Sequence, residues 1–127
     1  MFELTIKNTV YQFNFGMGFM KEINKTITKQ LEGATKGQVE NVGMGFRIAG
    51  VLSYDAEALS EVLYYANRGF NPRVTVADID EYIDNCDIDS LFETVIDELK
   101  KSNVTKKRTL ELIEAIEKEK AKRAAEE

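Results

Sequence analysis

Residues 10–23 read VYQFNFGMGFMKEI, and the spacing of apolar positions changes inside them. Up to Phe13 the pattern is that of extended chain. Phe2, Leu4 and Ile6 share one face and Glu3 and Thr5 the other, Lys7-Asn8-Thr9 suit a turn, and Val10, Tyr11 and Phe13 resume with strand-forming types. This predicts a short β-hairpin, Phe2–Ile6 with Val10–Phe13. From Phe15 onward Phe19, Met20, Ile23, Ile27 and Leu31 fall at helical spacing, which predicts a helix. Two strands alone are marginal in water, so the hairpin must lie on helices.

The rest of the chain reads as helices. Glu32–Gln38, EGATKGQ, is a polar loop, and a second helix is expected over Val39–Ser53, where VGMGFRIAGVL holds the single charge of Arg47. A helix apolar all round is buried, in a core or in an assembly. Asp55 suits the cap of a third helix, with Leu59, Val62, Leu63 and Ala66 inward and an end near Gly69. After Pro72, Thr75 and Asp78 have capping-box spacing, and Ile79, Tyr82, Ile83 and Cys86 form one stripe. Asp87 or Asp89 can open the next helix, with Leu91, Phe92, Val95, Ile96 and Leu99 inward. Asn103 or Thr105 can open the last, with Leu110, Ile113 and Ile116 inward. Past Ile116 only alanines and charges remain, so that end is expected to fray unless a partner covers it. The expected fold is mainly α (α+β): an N-terminal β-hairpin, then a compact bundle of about five to six helices. Residues 1–103 form the globular domain, and residues 104–127 a charged helix or partly mobile tail.

Composition narrows the chemistry. The chain has 127 residues, 43% of them hydrophobic, which is enough for one core. It has no histidine, so Ser-His-Asp and Cys-His catalysis and histidine metal ligation are excluded. Cys86 is the one cysteine, too few for an internal disulfide or a thiolate zinc site, and it points to a reducing, cytoplasmic setting. No catalytic set, metal site or cofactor is expected. A net charge of -5 argues against bulk binding to nucleic acid or to an anionic membrane. The N-terminus MFELTIKNTVYQF has no basic region leading an apolar run, and no apolar stretch reaches the ~18 residues of a membrane span.

Gly-Met-Gly-Phe occurs twice, in NFGMGF (14–19) and NVGMGF (41–46). A dinucleotide fingerprint would need a third glycine where Lys21 and Ile48 stand, and neither copy has the Gly-Lys-Ser/Thr of a P-loop. Packing suits the residues better. Glycine costs a helix about 1 kcal/mol against alanine, so paired glycines imply close approach of two backbones. Both copies are expected at helix starts or crossings, inside the core or between subunits, and Gly18→Leu then lowers stability or changes the oligomeric state. Phe15, Met17, Phe19, Met20, Met44 and Phe46 are the candidate apolar partner surface, adaptable as Met-rich surfaces are. Their alternative is plain burial in the core.

From Thr75 to Leu99 there are nine acids and no basic residue. No register supplies the glycine and twelfth-position glutamate of an EF-hand. The acids are either a solvated face or a docking face for a basic partner, with Asp78, Asp80, Glu81 and Asp84 as candidates. Lys100, Lys101, Lys106, Lys107 and Arg108 follow as a basic cluster, suited to the acidic helices of a neighbouring copy.

The order of these parts resembles a family: the tail assembly chaperones of long-tailed (siphovirus-type) bacteriophages and prophages of Gram-positive bacteria. The residues that carry the resemblance are LTIKNTVYQFNFGMGFMKEINK (4–25), LSEVLYYAN (59–67), PRVTVADIDEYIDN (72–85) and DIDSLFETVIDELKKSN (87–103). No single motif is chemically diagnostic; their combination and order make the match. The resemblance implies a non-catalytic assembly factor. It would bind the tape measure protein, a very long helical chain, and keep it soluble until the major tail (tube) protein polymerises around it. It would self-associate, act in the host bacterial cytoplasm and be absent from the mature virion, and a longer frameshifted product is common in such families. The competing expectation is a small acidic regulator that covers a basic surface of a host nucleic-acid-binding protein.

Overall fold

The computed structural model describes residues 1–30 and 39–126, with backbone only at 29, 30, 39 and 40. Strands β1 (Phe2–Ile6) and β2 (Thr9–Phe13) pair antiparallel, in register from Phe2↔Phe13 to Ile6↔Thr9. The turn is Lys7-Asn8, both left-handed at φ 50° and 65°, as a two-residue type I′ hairpin requires. Thr9, expected in the turn, belongs to β2 because it pairs with Ile6. Phe13 and Ile6 are buried, and Phe2, Leu4 and Tyr11 pack partly against the same core.

Helix α1 (Met17–Asn24) starts where the period changes but stops short of Ile27 and Leu31. Thr26 ends it: its backbone N–H and its hydroxyl both donate to the Ile23 carbonyl, taking up the backbone acceptor at the helix end. The β-branched run Thr26-Ile27-Thr28 then extends into β3 (Thr28–Gln30), which pairs antiparallel with β4 (Val39–Asn41). This second hairpin corrects two expectations, since Ile27 is a half-buried bend residue and the helix expected from Val39 begins four residues later. Leu31 and the Glu32–Gln38 loop lie outside the described residues.

The remaining helices are α2 (Gly43–Leu52), α3 (Ala56–Asn67), α4 (Val76–Asn85), α5 (Ile88–Lys101) and α6 (Lys106–Glu126). The starts of α3, α4 and α5 are capped by residues the sequence offers. The Asp55 carboxylate accepts from Glu57 N–H, the Thr75 hydroxyl from Asp78 N–H, and Asp87, not Asp89, from Ser90 N–H. Such caps contribute about 1 kcal/mol each. Helix α3 is the hub: α1, α2, α4 and β2 all pack on it, and Ala58, Leu59, Val62, Leu63 and Ala66 are buried there. Leu91, Phe92, Val95 and Leu99 bury α5, with Ile96 only partly covered.

Leu110, expected inward on α6, is 53% exposed. The covered face of α6 begins with the buried Thr105, just ahead of the helix, and Thr109, continues with half-buried Leu112, Ile113 and Ile116, and packs on α5 and α2. Two threonines lead that face, so apolar spacing alone misplaces its start. Among the described residues no helix is long and apolar enough to cross a membrane.

Candidate functional site

Both Gly-Met-Gly-Phe segments lie at helix starts. Gly16 caps α1 and Gly43 opens α2. Their side chains part company. Phe15 and Phe19 are buried, with Phe15 edge-on to Phe19 at 5.0 Å and tilted against Phe2 at 5.7 Å. Met20 and Met44 are half-buried, while Met17 is 51% and Phe46 60% exposed. Of the six apolar candidates, only Met17 and Phe46 therefore face fully outward.

The glycines divide as well. A Cβ on Gly43 would overlap the Ile23 carbonyl oxygen and crowd Thr26 Oγ1 at 2.7 Å, so α2 can start against the end of α1 only with glycine there. Gly50 meets Ala58 Cβ in the same way, at 2.6 Å, where α2 crosses α3. Gly45 faces the flexible Arg108 side chain, and Gly18 has no atom within 4 Å. Close packing within the chain thus accounts for Gly43 and not for Gly18.

Gly18 instead walls an open groove of about 490 Å³ between the start of α1 and the end of α3. Met17, Tyr65 and Phe70 give it apolar surface, and Lys21, Arg68 and Arg73 line it with positive charge against the one acid Glu22. Arg68 is held over the Tyr64 ring, 5.1 Å from its centroid, and donates to the Tyr64 hydroxyl at 3.0 Å. Partial burial, then the nearby Glu61 carboxylate, pushes the Tyr65 phenol above its ordinary pKa, so it stays a neutral donor.

The acidic candidates lie along α4 and are largely engaged by the chain itself. Lys7, at the tip of the first hairpin, reaches Asp78 at 2.9 Å and Glu81 at 3.0 Å. These two carboxylates raise the Lys7 pKa above its usual value. Asp80 accepts from the Ser60 hydroxyl at 2.6 Å, and Asp84 has no hydrogen bond or ion pair among the described residues. Glu57, Glu61, Asp80 and Asp84 border a second groove, about 480 Å³, with Val76 and Ile83 in it. No three-residue metal-ligating group occurs among the described residues. Cys86 is half-buried, and burial pushes its thiol pKa up, which disfavours the reactive thiolate.

Two polar residues that composition and periodicity passed over hold these surfaces in place. Asn67 is fully buried at the end of α3. Its Nδ2 donates to the carbonyls of Gln12 (3.0 Å) and Pro72 (3.2 Å), and its Oδ1 accepts from Val74 N–H (2.7 Å). It thereby joins β2, α3 and the lead-in to α4. The signal was present: Asn67 is four residues past Leu63, on the apolar stripe, and a polar residue there needs partners. Ser102, in the LKKSN turn after α5, donates its hydroxyl to the Phe15 carbonyl. Thr105 likewise donates to the Leu99 carbonyl at 2.7 Å. The stretches around Phe15-Gly16 and Lys100–Asn103 therefore meet in space.

A family model described as phage tail assembly chaperone protein, TAC, matches residues 3–114, from the first hairpin to the middle of α6. Neither the curated proteins nor the solved structures yield a match. The family match spans most of the chain, including the hairpin, the hub helix with its Asn67 joint and the Ser102 turn, and on that ground the chain belongs to the phage tail assembly chaperone family, with a chaperone role in tail assembly and a surface that binds tail proteins.

Proposed function

We propose that this chain binds the tape measure protein of a long-tailed phage of Gram-positive bacteria, keeps it soluble while the tail is built, and helps recruit the tail tube protein. It works without catalysis, in the host cytoplasm, and leaves before the virion is complete. The observation that supports this reading is the outward placement of Met17 and Phe46 at the starts of α1 and α2, beside the half-buried Met20 and Met44. A long helical client presents repeated apolar stripes of varied shape. Unbranched methionine and a free aromatic ring adapt to such stripes with little selectivity. Self-association along the client belongs to the same reading: Lys106, Lys107 and Arg108 of one copy suit the acidic α3–α4 groove of the next.

The acidic-regulator alternative is the weaker one, because Asp78 and Glu81 already share Lys7 and Asp80 holds Ser60. The test is co-expression of the tape measure protein with and without this chain. The expected result is a soluble complex with the chain and aggregated tape measure protein without it, with the complex weakened by Met17→Asp and Phe46→Asp. Equal solubility of the tape measure protein in both cases refutes the proposal.

A further inference from the structure

On a chain of net charge -5, the groove between the start of α1 and the end of α3 is locally positive. Three cations, Lys21, Arg68 and Arg73, stand around Met17, Tyr65 and Phe70. None of the three cations forms an ion pair among the described residues, although ion pairs occur elsewhere on the surface. Gly18 leaves the wall of α1 bare, so a backbone can approach it closely. The start of α1 adds to the positive potential, since neither a side-chain cap nor a first-turn acid is present.

We propose that this groove takes an amphipathic helical segment of a partner whose apolar stripe is flanked by carboxylates. The stripe seats on Met17, Tyr65 and Phe70, and the carboxylates pair with Lys21, Arg68 and Arg73. The acidic helices α3, α4 and α5 of a second copy do not supply such a segment. The apolar stripes of α3, α4 and α5 face the chain's own core, so their acids flank nothing that can insert. The acidic α3–α4 surface is itself a groove, and one concave surface does not fill another. The site deepens the chaperone reading, on which only the identity of the protein carrying the segment rests.

The experiment measures binding of two synthetic helical peptides of about 20 residues, long enough for several turns. Both share one leucine–methionine stripe, flanked by glutamates in one peptide and by lysines in the other. By fluorescence anisotropy at low salt, the glutamate peptide is expected to bind at least about tenfold tighter, with the gap narrowing as salt rises. Arg73→Glu cuts that preference at least about fivefold, because like charge then meets the carboxylates. Gly18→Leu weakens both peptides by filling the groove, and circular dichroism checks that each variant is folded. Equal binding of the two peptides, or an unchanged preference in folded Arg73→Glu, overturns the proposal. Co-purification separates the two readings. Tape measure protein retained equally by wild type and both variants refutes the groove and leaves the chaperone role intact. Its loss from wild type refutes that role, and the peptides still decide the groove.

Discussion

Gly43→Ala and Gly18→Ala make the same chemical change in the two copies of one motif, and their effects should have opposite signs. At Gly43 the new methyl meets the Ile23 backbone carbonyl, which cannot swing aside as a side chain can. Relief requires α2 to move off the end of α1. Overpacking of this kind costs about 1–3 kcal/mol, and a backbone obstacle places Gly43→Ala towards the upper end. The helical preference of alanine over glycine returns at most about 1 kcal/mol, leaving a net loss near ~2 kcal/mol. At Gly18 no atom lies within 4 Å, so only the propensity gain remains, up to about 1 kcal/mol. The variants should therefore differ by about 3 kcal/mol. Urea unfolding followed by far-UV circular dichroism reads this directly. With an m-value near ~2 kcal/mol/M, the midpoints separate by about 1.5 M, Gly43→Ala below wild type and Gly18→Ala at or above it. Repeating the titration at several protein concentrations separates folding from association. A Gly43→Ala midpoint at or above wild type refutes the close-approach argument. Equal losses in both variants would show that Gly18 is packed too, against another molecule.

Four further outcomes are expected. Asn67→Ala should lose about 3 kcal/mol or more, because three hydrogen bonds go and buried partners are left unpaired; a loss under ~1 kcal/mol in the urea assay counts against the joint. Asn67→Asp sets a carboxylate against the Gln12 and Pro72 carbonyls, which raises its folded pKa, so its stability relative to Asn67→Ala should fall as pH rises from about 4 towards neutrality. Ser102→Ala should cost about 1 kcal/mol and speed amide exchange around Phe15, which a purely exposed serine would not do. Because Asp78 and Glu81 raise the Lys7 pKa, the advantage of wild type over Lys7→Ala in thermal melts should persist through neutral pH. It should disappear only above about pH 10.4, and earlier loss refutes the bridge.

Local information was enough for most elements. A cap is a contact between residues two or three apart, so Asp55 and Thr75 could be read directly, and Asp87 as one of two choices with Asp89. The α3 and α5 stripes were equally plain, since each helix buries one continuous apolar face. The β3–β4 hairpin was not legible: its strands are three residues each, and Ile27 mimics the next position of the α1 stripe. The apolar candidates were legible as a set and not as individuals, because a phenylalanine in the core and one on the surface have the same local signature. Phe15 and Phe19 are buried, whereas Phe46, in the same motif, is not.

The sequence by itself determined the helical class, the leading hairpin, the starts of α3 and α4, the lack of histidine chemistry and the ordered motifs that resemble tail assembly chaperones. All of these depend on neighbours along the chain or on composition. Tertiary structure alone decided which glycine is packed, which carboxylates Lys7 occupies, and how Lys21 comes to share a groove with Arg68 and Arg73. These depend on where α1, α3 and the hairpin meet, and residues 71 positions apart, such as Lys7 and Asp78, are brought together only when the core closes.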